Sequence, residues 1–240
     1  MSRKLPVLLG IAVMSLAAVS WAGPSAPAVR PPPATLDPAN FVAVVDNPYY
    51  PLPPGRILVY KGVRDGLTQT DRVTVTNQTK VIQGVTTTVV RDVARHGTRL
   101  LEQTTDWYAQ DVDGNVWYFG EDTKSYDANG QVVSTEGSWE TGVDGAVPGI
   151  IMEANPRSPD GYRQEFYKGH AEDQAWVLSR GGSLSVPYGL VHHVLRTMEW
   201  TALEPSVVDQ KYYSPGLGIV REISVAGGHE VAKLARVGAA

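Results

Sequence analysis

The chain has no cysteine. That excludes disulfides, zinc–thiolate sites, iron–sulfur clusters, a thiol nucleophile and a lipidated N-terminal cysteine. Charge is also scarce: Asp, Glu, Lys and Arg make up 19% of the 240 residues and the formal net charge is −4. A broad basic footprint for nucleic acid is thereby excluded. No window holds an apolar stripe at i, i+3, i+4, i+7 over three turns, so a helical architecture is not expected. After residue 22 no apolar run reaches the ~20 residues that a membrane-spanning helix needs. The common catalytic signatures are missing too. There is no G-x-G-x-x-G, no P-loop and no G-x-S-x-G elbow. The nearest strings, Gly137-Ser138-Trp139 and Gly182-Ser183-Leu184, lack the second glycine.

What remains is a chain of 42% apolar residues with 24 glycines and 17 prolines, a composition suited to many short strands joined by turns. Residues 1–22 read as a secretory signal peptide. Arg3 and Lys4 form the positive end, Leu5 to Val19 the apolar stretch, and Ser20-Trp21-Ala22 offers small residues to a signal peptidase, with cleavage after Ala22. Residues 23–40 read as a Pro/Ala-rich disordered tether, with Pro24, Pro27, Pro31, Pro32, Pro33 and Pro38 favouring extended polyproline conformation. A single β domain is expected over residues 41–237. The destination is outside the cytoplasm, periplasmic or secreted.

Within that domain strand follows strand. Segments such as DRVTVTN (71–77), VTTTVVRDV (85–93), LLEQTTDWYAQ (100–110) and VHHVLRTMEWT (191–201) are rich in Val, Thr, Tyr and Trp and bounded by Gly, Pro, Asn or Asp. The expected fold class is all-β: a strongly curved antiparallel sheet, barrel or half-barrel of about ten to twelve strands with little helix.

Two turns, Asp111–Asn115 and Asp127–Gln131, share the pattern D-x-[DN]-G-[NQ], which suits a three-residue hairpin loop with Gly114 or Gly130 in the left-handed region. Counting outward from the first, Asp111 pairs with Asn115, Ala109 faces Trp117, Trp107 faces Phe119, and Thr105 faces Glu121. On the other face Tyr108 stands opposite Tyr118 and Glu102 opposite Lys124. From the second turn Tyr126 pairs with Val132. This register puts Glu121 on the face of Trp107, Trp117 and Phe119, with Arg163 as its expected partner.

Asp111, Asp113 and Asn115 also resemble the start of a calcium loop, but loop position six is Val116 rather than Gly. His192 and His193 are neighbours on a strand and point to opposite faces, so they cannot share a metal. No metal site and no cofactor is expected. Asp144–Asp160 reads as a long loop with an apolar patch, Val147 to Met152, of the kind that forms lids.

Two segments carry a resemblance. Asn47-Pro48-Tyr49-Tyr50-Pro51-Leu52-Pro53-Pro54-Gly55, followed by Leu58-Val59-Tyr60, is similar to a "yfPLxxGxxWxY" opening. Tyr212-Tyr213-Ser214-Pro215-Gly216-Leu217-Gly218-Ile219-Val220 is similar to a "YxPGxGxVK" closing hairpin. Both resemble an uncharacterised family of exported bacterial β-proteins, and the Asp106–Thr123 block belongs with it. Leu58 replaces the motif's Trp and Arg221 its Lys. The resemblance implies a curved sheet or half-barrel analogous to lipoprotein-carrier and lipocalin-like architectures, and no activity.

The leading expectation is an exported, non-catalytic protein that binds an apolar or amphipathic small molecule, a lipid or a cell-envelope component. Its walls would be Trp107, Trp117, Phe119, Trp139, Tyr167 and Trp176, with Glu121 and Arg163 orienting a polar end. The alternative is an exported hydrolase or isomerase using carboxylate acid/base chemistry at Glu121 with Glu136 or Glu165. A second alternative is a structural or assembly protein of the envelope with a filled core. Nucleic acid is not an expected partner, and the ligand and the oligomeric state stay open at this point.

Overall fold

The computed structural model describes residues 36–239. The expected signal peptide, its expected cleavage site and most of the expected tether lie outside the described residues. The strands in chain order are β1 (Phe41–Val42), β2 (Arg56–Arg64), β3 (Leu67–Ile82), β4 (Val85–His96), β5 (Arg99–Asp111), β6 (Val116–Tyr126), β7 (Val132–Ser134), β8 (Trp139–Glu140) and β9 (Val147–Met152). They continue with β10 (Gly161–Arg163), β11 (Glu165–Phe166), β12 (Asp173–Arg180), β13 (Ser183–Val186), β14 (Gly189–His192), β15 (Leu195–Thr201), β16 (Val208–Ser214), β17 (Gly218–Ala226) and β18 (Val231–Ala239). One 3₁₀ turn, Pro38–Asn40, precedes them.

The all-β expectation holds. Thirteen strands follow one another in the order β10-β12-β15-β16-β17-β18-β2-β3-β4-β5-β6-β9-β11. The path counts more than ten to twelve strands because it uses two- and three-residue segments that are too short to stand out in sequence. Its two ends, β10 and β11, are separated in the chain by Gln164 alone, whose amide donates to the Asp173 carbonyl at 2.8 Å. The antiparallel sheet therefore curls into a nearly closed barrel, and closure removes the free edges that invite aggregation.

The apolar patch Val147–Met152 is strand β9, paired with β6 and β11, and not part of a lid. Both polar hairpin turns form as expected: the Asp111 amide donates to Asn115 and the Asp127 amide to Gln131. Gly114 and Gly130 adopt φ of 94° and 77°. The last residues of the stretch read as tether are applied to the barrel wall. The Asp37 side chain caps the 3₁₀ turn, and Leu36 and Phe41 pack over a buried patch of Trp107, Trp117 and Phe119.

The strand directions give the barrel two unlike ends. At one lie the β13–β14 hairpin, the β16–β17 turn and the Asn47–Gly55 segment. Val186, Val191 and Val194 pack there on Leu58, Val220 and Leu234, while Tyr49 and Leu52 join the main core with Val75, Met152 and Leu195. The two segments that carried the family resemblance meet at this end: the Gly216 amide donates to the Pro48 carbonyl at 2.8 Å, and Arg56 donates to the Gly216 carbonyl at 2.8 Å. The other end is ringed by the β2–β3, β4–β5 and β17–β18 turns.

Candidate functional site

Packing fills only part of the barrel. A cavity of about 310 Å³ runs from the closed end, where Tyr50, Leu52, Tyr60, Tyr108, Tyr213 and Leu217 form its floor, to a mouth at Arg64, Gln69, Glu102 and Glu230. Its walls are the inward faces of β2 to β6 and β16 to β18. Period-two alternation decides what those faces hold. On β5 the residues in phase with Tyr108 are Asp106, Thr104 and Glu102; on β4 the residue in phase with Val90 is Asp92; on β3 the residue in phase with Val75 and Val73 is Asp71.

Glu121 reaches the cavity by a different route from the one its sequence predicts. Trp107 pairs with Gly120 but Tyr108 pairs with Tyr118, so a bulge at Phe119–Gly120 interrupts the ladder. Gly120 adopts φ of 133° and lies so close to the Trp139 carbonyl that no Cβ fits there. The extra residue flips the rest of β6. Glu121 stands opposite Asp106, Thr105 opposite Asp122, and Glu102 opposite Ser125 rather than Lys124. The pairs nearest the turn, Ala109 with Trp117 and Tyr108 with Tyr118, keep the expected register.

The aromatic wall is corrected accordingly. Trp107, Trp117 and Phe119 face outward beneath Phe41, whose ring meets Trp117 and Phe119 edge-on at 5.9 and 5.6 Å. Trp139 is buried behind Tyr118, with its ring edge-on at 5.5 Å and Nε1 donating to Glu165 at 2.8 Å. Trp176 packs on Trp200 at 4.6 Å on the outer surface. Tyr167 stacks on His170 at 4.3 Å. Arg163 is not the partner of Glu121; its guanidinium lies 4.2 Å over Phe166. Glu136 is exposed. Of the sequence-chosen residues, Glu121 alone lines the cavity.

The residues missed are the acids and tyrosines. Seven carboxyl side chains line the cavity against two cations, Arg64 and Lys211. Both cations are engaged. Arg64 lies 3.6 Å from Glu230, and Lys211 lies 2.8 Å from Glu199 and 3.8 Å from Glu222. Glu199 also accepts from Thr197 at 2.8 Å and Tyr213 at 3.1 Å. The remaining acids have neutral partners. Tyr118 donates to Asp106 at 2.7 Å, Thr123 to Glu121 at 2.9 Å, Gln69 to Asp71 at 2.6 Å and Ser125 to Glu102 at 3.3 Å. Asp92 Oδ1 is shut off from solvent and has no hydrogen-bond partner among the described residues.

Burial among like charges moves these groups toward neutral pH. Burial, then Asp71 and Asp106, pushes the Asp92 carboxyl up to about 8. Burial and Glu121 push Asp106 up to about 7, against hydrogen bonds from Tyr118 and Tyr108. Burial pushes Glu121 up to about 7, opposed by hydrogen bonds from Thr123 and Tyr118. Burial likewise takes Glu222 to about 7, with Lys211 opposing. Burial pulls the Lys211 ammonium down, but Glu199 and Glu222 more than offset it, so it is held well above its ordinary value. Glu165, buried beside Asp173 and Glu121, is held well above the usual carboxylate range. Near pH 7 Asp92, Asp106, Glu121 and Glu222 are part-protonated, able to accept a cation, donate a hydrogen bond or exchange a proton.

The chain matches no family profile and no curated protein. A solved structure described as "a putative lipoprotein from Parabacteroides distasonis" is similar to it at 10% identity, over 79% of this chain and 98% of that one, with a TM-score of 0.41. Among the described residues no helix is long and apolar enough to cross a membrane.

Proposed function

We propose that the protein is an exported binding protein that holds a small amphipathic molecule in the barrel lumen. The observation that carries this reading is the cavity of about 310 Å³, closed at an aromatic and apolar end and open at a charged one. Its size lies at the small end of ordinary ligand pockets, which run from about 300 Å³ upward. A filled interior would instead have favoured a purely structural role. The test is native mass spectrometry of the protein purified from its own host. A small molecule at fixed stoichiometry is expected, and it should be lost from an Ala94→Trp variant, which fills the upper lumen where Ala94 lies. Absence of any bound mass, together with unaltered solution behaviour of the variant, would overturn the reading.

A second reading, an enzyme working by carboxyl acid/base chemistry, is favoured by one observation: Asp106 and Glu121 face each other across one rung of the ladder, in the cavity wall, both titrating at about 7. One carboxyl can then give a proton while its neighbour takes one. Incubating the protein with small-molecule extract of its host separates the two. A binder returns its ligand unchanged. An enzyme depletes one mass and raises another, and Glu121→Gln stops the conversion.

A further inference from the structure

We propose that the ligand class of the lumen is an organic cation: an amine carried on an apolar or aromatic body, its nitrogen among Asp92, Asp106 and Glu121 and its body on the tyrosine and leucine floor. The inference rests on the lumen being a binding site and names what that site selects.

Four observations carry it. The first is charge balance. Arg64 and Lys211 are each already paired with a carboxylate, which leaves Asp71, Asp92, Glu102, Asp106 and Glu121 in the wall with no cation within ion-pair distance among the described residues. The second is Asp92 Oδ1, sealed from solvent and without a hydrogen-bond partner among the described residues, although the carboxyl has a hydrogen bond from the Val93 backbone. A buried carboxylate oxygen normally has one, and an ammonium N–H aimed at it from the lumen would supply it. The third is arrangement. Asp106 stands opposite Glu121, and Asp92 is one step along the neighbouring strand, opposite Thr104. The three carboxyls so form a shallow patch midway along the wall. Among the described residues no three such groups converge as metal ligands would. The fourth is the floor. Tyr50 lies 5.3 Å from Tyr108, itself stacked on Tyr118 at 4.9 Å, so aromatic faces adjoin the acid patch. Such faces suit both an apolar body and a cation.

Binding would be linked to protons. Asp92, Asp106 and Glu121 hold protons near pH 7 because they are buried among other carboxyls. An incoming ammonium turns them into carboxylates and expels those protons. Affinity therefore rises with pH until the amine itself deprotonates. Lys211, already charged and held so by Glu199 and Glu222, does not titrate in that range.

The experiment uses calorimetry on the full chain as exported, with three probes of matched body: phenethylamine, phenethyl alcohol and phenylacetate. The amine is expected to bind about tenfold or more tighter than the alcohol at pH 8, the gain of a charge-assisted contact. That ratio should shrink at pH 5.5, and the amine's heat should depend on buffer ionisation because protons are released. In an Asp106→Asn/Glu121→Gln double variant, shown folded by its melting transition, the ratio should fall to about two or less. If the alcohol or phenylacetate binds as well as the amine, the cation proposal is overturned while the binding reading stands. If the double variant keeps the full preference, the assignment to this patch is overturned. If none of the three binds, the amine assignment is overturned, and the binding reading is decided by the native mass spectrum.

Discussion

Asp111 shows how much structural work one carboxylate does in this barrel. It is buried at the foot of β5, and its two oxygens accept from the Asn115 amide, the Asn115 side chain and Trp117 Nε1, each at 2.8 Å. The same side chain thus ties the hairpin turn and fixes an outward-facing tryptophan. Asp111→Ala would strand three donors, and a loss of about 2–4 kcal/mol is expected. Asp111→Asn, which keeps one acceptor oxygen, should cost less. Urea unfolding of the two variants checks both magnitude and order. Glu121 is the opposite case. Its carboxyl is pushed up to about 7, so the folded state resists ionising it. Glu121→Gln is expected to stabilise the protein by up to ~3 kcal/mol at pH 8 and to change little at pH 5, because one unit of displacement corresponds to about 1.4 kcal/mol. A large loss at pH 8 would mean that the carboxylate holds the wall together. A gain would fit a group kept for binding at the expense of stability.

At the scale of the strand, the bulge in β6 decides which face becomes the site. Gly120 sits at positive φ with the Trp139 carbonyl where its Cβ would go, whereas Gly130 sits at positive φ in open space. Gly130→Ala should therefore cost only the backbone strain, about 1–2 kcal/mol. Gly120→Ala should cost ~3–5 kcal/mol, since β6 and β8 must part as well. Equal urea midpoints for the two variants would contradict the bulge. This element also marks where the sequence stops being legible. Turn chemistry at Asp111–Asn115 and Asp127–Gln131 is local, and so are the pairs next to the turns; those registers could be read directly. A bulge depends on what lies across the strand. In F-G-E the glycine was its one visible sign, and a period-two count that passes through it puts Glu121 on the wrong face. Asp106 was within reach, because it shares a face with Tyr108 two residues on. The rung that brings Lys211 to Glu222 was not, because a register shift between Tyr212 and Tyr213 separates it from the closing-hairpin turn. Neither was the outward facing of Trp107 and Trp117, because their cover comes from Leu36 and Phe41, in and beside a stretch that reads as linker.

The lumen also determines how the whole molecule responds to pH. Unfolded, its carboxyls titrate at their ordinary values of 3.8 for Asp and 4.5 for Glu. Folded, Asp106, Glu121 and Glu222 are pushed up to about 7 and Asp92 to about 8. Asp71, Asp173, Glu165 and Glu230 move in the same direction. Between about pH 4 and pH 8 the folded state therefore holds more protons than the unfolded one, and stability must fall as pH rises. The contribution is complete below the unfolded values and disappears as the pH passes through 7 to 8. Lys211 does not cancel it in this window. Glu199 and Glu222 hold its proton far above pH 8, so the ammonium itself stays charged across the window. The ligand-free protein should then be more stable at pH 5.5 than at pH 8, by several kcal/mol, which urea midpoints measured across that range would read directly. An Asp92→Asn/Asp106→Asn/Glu121→Gln variant should flatten the slope. A midpoint that rises from pH 5.5 to pH 8 would show that the lumen acids ionise freely and are already compensated. A cation that fills the lumen has the same origin and the opposite effect. It binds the ionised folded state, so at pH 8 saturating phenethylamine should recover much of the stability lost since pH 5.5, and at pH 5.5 it should add little.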